Sequence, residues 1–365
     1  MARKLASIKI ISELHPIPER DRIELAIVDG WQIIVRKDEY QVGDKTIFVE
    51  IDSILPEKPE FEFLRSKKFR IKTMKMRGTL SQGICFPLSI LPDLKGEKYE
   101  VEDDVTDILG IKKFEIDEDN IITNESKSKK FNHPIFKFLF KFSIIRKLLL
   151  SKKENKGFPN FISKTDEIRI QNMPFILLNK DIKFVEREKI DGQSGTFFLR
   201  RIPKKFFWQK DSFDFGVCSR NLRLWKEDLS KSYWKVAIKY NIKSVLEDLI
   251  GNNEFVAIQG ECVDTNVQDN KYKVTEADLY AFNLIYPSGK VSCLQGEEIL
   301  KKYGIKWCPL VNDEFVLPDT VNELLDYVTG KSKLYDTLRE GSVFRCYEKN
   351  LSFKAVSPDF LIQYD

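Results

Sequence analysis

Val185-Glu186-Arg187-Glu188-Lys189-Ile190-Asp191-Gly192 is the stretch from which the rest of this 365-residue chain can be read. It is a strand-like run that ends at Lys189 and breaks into an Asp-Gly turn. Alone, a Lys-x-Asp-Gly says little, because four positions with one wildcard recur by chance. Residues further along the chain give it weight: Glu261 and Phe282 in strand-like runs, then Glu340-Gly341, then Lys354 in another such run. A lysine is a poor nucleophile at neutral pH until desolvation or a nearby positive charge lowers its pKa, and Lys354 offers such a charge. A lysine fixed at a strand end is well placed to meet a phosphorus atom, and phosphoryl chemistry depends on positioning and on neutralising the phosphate oxygens. Magnesium is the expected neutraliser, keeping several waters held by carboxylates. Asp191, Glu261 and Glu340 are the candidates. Each by itself reads as a turn or a solvated strand face; their order along the chain is the signal.

The surroundings read as α+β. From about 158 onward, strand-like runs recur at Lys183–Glu186, Gly195–Leu199, Phe255–Gly260, Leu279–Tyr286, Ser342–Cys346 and Leu351–Val356, with helices between them. In the stretch 319–330, Thr320 and Glu323 fit a capping box, Val321, Leu324, Leu325 and Val328 form one apolar face, and Gly330 ends the helix. Residues 1–105 read as β. Asp29-Gly30 lies between two apolar-rich runs, a hairpin signal, and several short strands in about 100 residues suggest an OB-type barrel. Residues 106–157 read as a basic connector. The segment 127–156 holds ten Lys/Arg and one acid, and Pro134–Leu150 is compatible with an amphipathic helix serving interdomain packing, nucleic-acid contact or a membrane surface. The expected division is therefore 1–105, 106–157 and 158–365.

Composition narrows the class. Hydrophobic residues make up 42% and charged residues 32%, as in globular proteins. The net charge is only +4, so any nucleic-acid contact must come from local patches. Six scattered cysteines without a Cys-x-x-Cys, and two histidines, argue for free thiols rather than zinc. The N-terminus lacks the apolar core of a secretory signal, and no long uncharged apolar run predicts a membrane span. A reducing compartment, cytoplasmic or nuclear, is expected, with no stable membrane association.

The ordered set resembles the motifs of covalent nucleotidyltransferases, the superfamily of ATP-dependent RNA and DNA ligases and mRNA capping enzymes. Lys189–Gly192 resembles motif I, Phe255–Glu261 motif III, Leu279–Ile285 motif IIIa, Arg339–Phe344 motif IV and Ser352–Ser357 motif V. The block Lys164–Asn172 is similar to one found upstream of motif I in RNA ligases, and Cys218–Asn221 resembles motif Ia. With the barrel in front, the chain resembles RNA ligases of the Naegleria and Deinococcus type (the RNA ligase 5 clade). The resemblance implies an N-terminal OB barrel followed by an adenylyltransferase domain of ATP-grasp-like antiparallel sheets plus helices. It implies that Lys189 carries AMP and that Lys354 holds the α-phosphate. Glu188, Ile190, Arg169, Arg220 and Phe282 would line the nucleotide, Phe282 stacking on adenine. Asp191, Glu261 and Glu340 would organise Mg2+ or Mn2+. Many family members have Lys-x-Lys in motif V; here the second position is Val356, so Arg169 or Arg187 is expected to supplement Lys354.

Seven basic residues in the thirteen positions from Arg65 to Arg77 form a patch suited to phosphates. Lys67, Lys68, Arg70, Lys72, Arg77 and, further on, Lys164 are the candidate nucleic-acid contacts. The expectation is an ATP-dependent RNA ligase that joins 3′-OH and 5′-phosphate ends, on nicked duplex or otherwise, and acts as a monomer in RNA repair. The rivals are a capping guanylyltransferase or DNA ligase, which usually carry an OB domain after the catalytic domain, and a catalytically silent RNA-binding protein.

Overall fold

Period-two burial builds the N-terminal strands. In Trp31–Arg36 the side chains of Trp31, Ile33 and Val35 are buried while Gln32 and Ile34 are half-exposed, as one covered sheet face requires. The computed structural model describes residues 3–76, 78–92, 99–114, 157–204, 208 and 211–364. Arg77, the expected helix at 134–150 and most of the basic connector lie outside the described residues.

Contacts divide the chain into two compact units that cut across chain order. The first comprises Met1–Glu115, Glu167–Lys189 and Pro309–Asp365, and the second Ile116–Asp166 and Ile190–Cys308. The chain thus leaves the first unit between Lys189 and Ile190.

In the first unit, Ala6–Ile10, Lys45–Val49 and Ile84–Phe86 form one antiparallel sheet, and Glu13–Pro16, Ile23–Val28 and Trp31–Arg36 form another. Thr73–Met76 pairs with Thr79–Gln82, and Ser53–Ile54 with Lys112–Lys113. The hairpin at Asp29-Gly30 forms with Val28 opposite Trp31, Asp29 taking a left-handed φ of 52°. One apolar core gathers Ile8, Trp31, Phe48 and Phe61 and continues to Val105, Leu109 and Ile111, so the barrel's packing runs past the boundary expected at 105. Val356 and Leu361 enter the same core.

Beside it lies a four-stranded antiparallel sheet in the order Leu310–Val316, Lys183–Lys189, Gly341–Cys346, Leu351–Val356. The helix Val321–Val328 carries the expected capping box, with both hydrogen bonds between Thr320 and Glu323 present. Its Leu324, Leu325 and Val328 share a core with Phe184, Phe344 and Phe353. Phe344 and Phe353 stack 5.1 Å apart. Each fully buried aromatic contributes roughly 1.5–3 kcal/mol of transfer free energy, so the strand ending at Lys189 rests on a rigid floor.

The second unit is built on an antiparallel sheet in the order Arg223–Leu224, Ser212–Cys218, Gln193–Ile202, Phe255–Val263, Asp278–Tyr286, Gly289–Lys290. Lys306–Trp307 joins Asp278–Tyr286 in parallel. Helices Ser232–Lys239, Ile242–Ile250 and Cys293–Lys301 complete it. No described helix is long and apolar enough to cross a membrane.

Candidate active site

The first unit presents Lys189 at the end of its strand. Lys189 pairs with Gly341, Gly341 with Val356, and Val343 with Lys354. This register brings Lys189, Glu340 and Lys354 into one sheet from positions 165 residues apart. The Lys189 Nζ lies 2.7 Å from the Glu340 carboxylate, and both side chains are largely shielded. Gly341 is required beside them. Its φ is 151°, and a Cβ there would meet the Ala355 carbonyl oxygen at 2.1 Å. The Glu340 carbonyl accepts from Ser357 N at 2.8 Å, which pins the turn into the strand.

Glu188 is buried, and its carboxylate accepts from Lys333 N at 2.8 Å. Glu186, two residues earlier, is fully buried. Ser342 Oγ and Tyr327 OH donate to it at 2.6 and 2.9 Å, and Arg339 lies 3.7 Å away. Burial pushes its pKa up, and these partners only partly offset the shift. The Tyr327 hydroxyl, desolvated and bonded to that carboxylate, is raised to about 12.

Arg169 runs alongside Lys354. Lys354 N donates to Ile168 O at 2.8 Å, and Arg169 and Lys354 form a parallel bridge. The Arg169 guanidinium is buried and binds Asp52 at 3.2 Å, while its Nε and Nη1 have no hydrogen-bond partner among the described residues. Val356, the departure in motif V, is 2% exposed and packs into the barrel core. The position where a second lysine was expected is thus apolar packing here, and the backbone places Arg169 beside Lys354.

The second unit carries the other half of the motif set. Ile190 is buried. Asp191 Oδ2 lies 2.5 Å from Lys271 Nζ, and Asp191 N donates to the Tyr272 hydroxyl at 2.7 Å. Gly192 N donates to Glu261 Oε1 at 3.1 Å, and a Cβ on Gly192 would meet the Cys262 carbonyl at 2.5 Å. Phe282 occupies a β-bulge: Gln259 pairs with Asn283 and Gly260 with Ala281, leaving Phe282 as the extra residue. A bulge re-aims a side chain. Here the ring is half-exposed while the adjoining Asn283 is buried on Gln259 Oε1 at 2.7 Å. Arg220 is exposed and paired with Asp166, and Lys164 donates to Asn221 Oδ1 at 2.9 Å.

Among the described residues no three His, Cys, Asp or Glu side chains gather as a direct metal-ligand set. Asp191 and Glu340 each face a lysine. Such carboxylates suit an ion that keeps its own waters and binds mainly through phosphates, as magnesium does, so each by itself fits an outer role toward a divalent cation. Of the basic patch, Lys67 and Lys68 are exposed, whereas Arg70 is half-buried, 3.5 Å from Asp52 and 3.6 Å above the Phe114 ring. Sequence reasoning did not single out Asp52, Glu186, Lys271 or Tyr272. Lys271 and Tyr272 lie in a loop without pattern, and nothing in the sequence marks them.

An OB-fold domain model matches residues 5–88 and an RNA ligase model residues 182–356, as the barrel and strand patterns led one to expect. No curated protein matches the chain. Among solved structures, the chain is similar to Naegleria gruberi RNA ligase with PPi, at 30% identity and a TM-score of 0.78, covering 100% of this chain and 99% of that one. It is also similar to two mutants of that ligase, each at 30% identity and a TM-score of 0.77 with 99% of both chains covered. One is a lysine-to-methionine mutant with AMP and Mn, the other an arginine-to-alanine mutant with ATP and Mn.

Proposed function

Because this chain belongs to the RNA ligase family of covalent nucleotidyltransferases, we propose that it seals RNA through lysyl-AMP and RNA-adenylate intermediates, with Lys189 as the nucleophile. It is an ATP-dependent RNA ligase. The single observation that carries the assignment of the nucleophile is Lys189 at a strand end, 2.7 Å from Glu340, in the sheet that also holds Lys354.

In the first step the Lys189 amine attacks the α-phosphorus of ATP and pyrophosphate leaves. Glu340 orients the amine and lies within reach of its proton. Lys354 and Arg169 neutralise the phosphate oxygens, Arg169 through its two remaining donors. Phe282 stacks on adenine from its bulge, and Arg220 contacts ribose or phosphate. A divalent cation supplies further neutralisation of the triphosphate, and Asp191, Glu261 and Glu340 are the residues that would hold its waters. In the second step AMP passes to a 5′-phosphate end. In the third a 3′-OH attacks that end and AMP departs.

The finer readings belong to the same proposal. The barrel within 1–105 binds RNA, with Lys67 and Lys68 on its exposed surface and Lys72 and Arg77 contributing, and Lys164 of the catalytic region adds a further contact. The segment 106–157 links it to the catalytic region 158–365. The substrate is RNA with 3′-OH and 5′-phosphate ends, including nicked duplex, and the role is RNA repair by a monomer of the Naegleria and Deinococcus clade.

The test is covalent labelling with α-labelled ATP or GTP, followed by sealing of nicks whose strands are each RNA or DNA. Label from ATP, its loss in a folded Lys189→Met variant, and sealing of RNA ends are expected. Undiminished labelling of Lys189→Met, or an adduct from GTP alone, would falsify this reading.

A further inference from the structure

We propose that Asp52, a residue of the N-terminal barrel, is a positioning residue for lysine adenylylation: its carboxylate holds the Arg169 guanidinium in place for phosphate. This rests on the reading of Arg169 as a phosphate contact.

The observations begin with Asp52's backbone. Its φ is 67°, in the left-handed region that non-glycine residues seldom adopt. It is held there by two backbone hydrogen bonds, Asp52 N to Ile71 O at 2.9 Å and Phe114 N to Asp52 O at 2.7 Å. Strain of this kind persists where the surroundings over-determine it and concentrates at functional positions. The side chain then meets three guanidinium groups: Arg169 at 3.2 Å, Arg70 at 3.5 Å and Arg3 at 3.6 Å. Arg3 also binds Glu50 at 2.7 Å. Three cations thus share two carboxylates.

Arg169 is the member with donors left for a further acceptor. It is 8% exposed, and its Nε and Nη1 donors are buried without a hydrogen-bond partner among the described residues. Buried donors of a charged group call for an acceptor, and the backbone bridge sets this residue beside Lys354. The barrel also clamps the segment just after Arg169. Gly30 N donates to Gln171 O at 3.0 Å, Trp31 Nε1 to Asn172 Oδ1 at 2.6 Å, and Asn172 Nδ2 to Glu50 Oε1 at 2.8 Å. The backbone around Arg169 is therefore fixed by groups from residues 30 to 52. Asp52 is the one of these that grips the guanidinium itself, by a hydrogen bond to Nη2.

Asp52→Asn is the informative change, because Asn tolerates the left-handed backbone and keeps the side-chain shape while removing its charge. Without that counter-ion the Arg169 guanidinium is held less firmly. Displacement of a positioning group by about 1 Å slows such chemistry by roughly 100-fold. The measurement is single-turnover labelling of the full-length protein with α-labelled ATP at saturating concentration, with melting temperatures alongside. Asp52→Asn is expected to label about 10- to 100-fold more slowly than wild type. The double variant Asp52→Asn/Arg169→Ala is expected to be no slower than Arg169→Ala alone, which a merely structural role would not produce. A wild-type rate for Asp52→Asn, or losses that multiply in the double variant, overturns the proposal. Should Asp52→Asn not fold, Asp52→Glu carries the test: it shifts the carboxylate by one methylene and is expected to slow labelling severalfold, and an unchanged rate overturns the proposal. If Arg169→Ala itself labels at the wild-type rate, the underlying reading of Arg169 has failed instead.

Discussion

Gly341→Ala puts the architecture of the lysine site to a quantitative test. The added Cβ would lie 2.1 Å from the Ala355 carbonyl oxygen and 2.8 Å from Val356 Cα, where ordinary contact begins at 3.4 Å. Both obstacles are backbone, so no side chain can swing aside. Relief requires the strands Gly341–Cys346 and Leu351–Val356 to part by about 1.3 Å at this point, the difference between 3.4 and 2.1 Å. Separation removes one or two ladder hydrogen bonds, each about 1 kcal/mol net, and alanine at a φ of 151° adds about 1–3 kcal/mol of strain. A loss of about 2–5 kcal/mol in unfolding free energy is expected. The same movement carries Glu340, which holds Lys189 at 2.7 Å, and a shift of about 1 Å in a positioning group costs roughly 100-fold in rate. Lysyl-AMP labelling measured below the melting transition should therefore fall about 100-fold, with a lowered denaturation midpoint. A Gly341→Ala protein with wild-type midpoint and labelling rate would refute the claim that close strand approach at Gly341 builds the site.

The remaining predictions concern the buried charges. Lys271→Met leaves the Asp191 carboxylate without its ammonium partner. Both side chains are under a sixth exposed, so a loss of about 1–3 kcal/mol is expected after allowing for residual water. Melting should show that loss, together with partial recovery in Asp191→Asn/Lys271→Met; a double variant less stable than either single would contradict it. Glu186 gives a pH signature. Its folded pKa lies above the ordinary 4.5 because burial disfavours the charge, so the native state binds the proton more readily than the unfolded chain. Wild type therefore gains stability relative to Glu186→Gln as pH falls through the folded value towards 4.5, and the gain is absent above that window. Chemical denaturation of both proteins across this range reads the difference directly; a gap that is constant with pH would remove Glu186 as its source.

Much of the fold was legible because its signals are local. The Asp29-Gly30 hairpin and the Thr320–Glu323 capping box depend on residues a few positions apart, where backbone geometry dictates residue type. The proposed site residues were legible for a different reason: Lys189, Glu261, Phe282, Glu340 and Lys354 are residue types that the proposed chemistry calls for, in an ordered set. What escaped was everything supported from a distance. Lys271 reaches Asp191 from 80 positions away and Asp52 reaches Arg169 from 117, and neither position has a periodicity or spacing that marks it. Arg70 looked like one of several surface cations, yet the fold turns it onto Asp52 and the Phe114 ring.

The amino-acid sequence by itself determined the reaction class and the order of barrel before catalytic sheets, and it singled out Lys189 as the nucleophile to propose. Only the tertiary structure decided how these are held. It placed Val356 in the barrel core. It set Arg169 beside Lys354, made Phe282 the bulged residue of its strand, and recruited Asp52 to the arginine. The physical reason is that strand pairing and ion pairing join residues far apart in the chain. A sequence specifies which charges exist, but burial and register decide which of them share a counter-ion and which remain for the substrate.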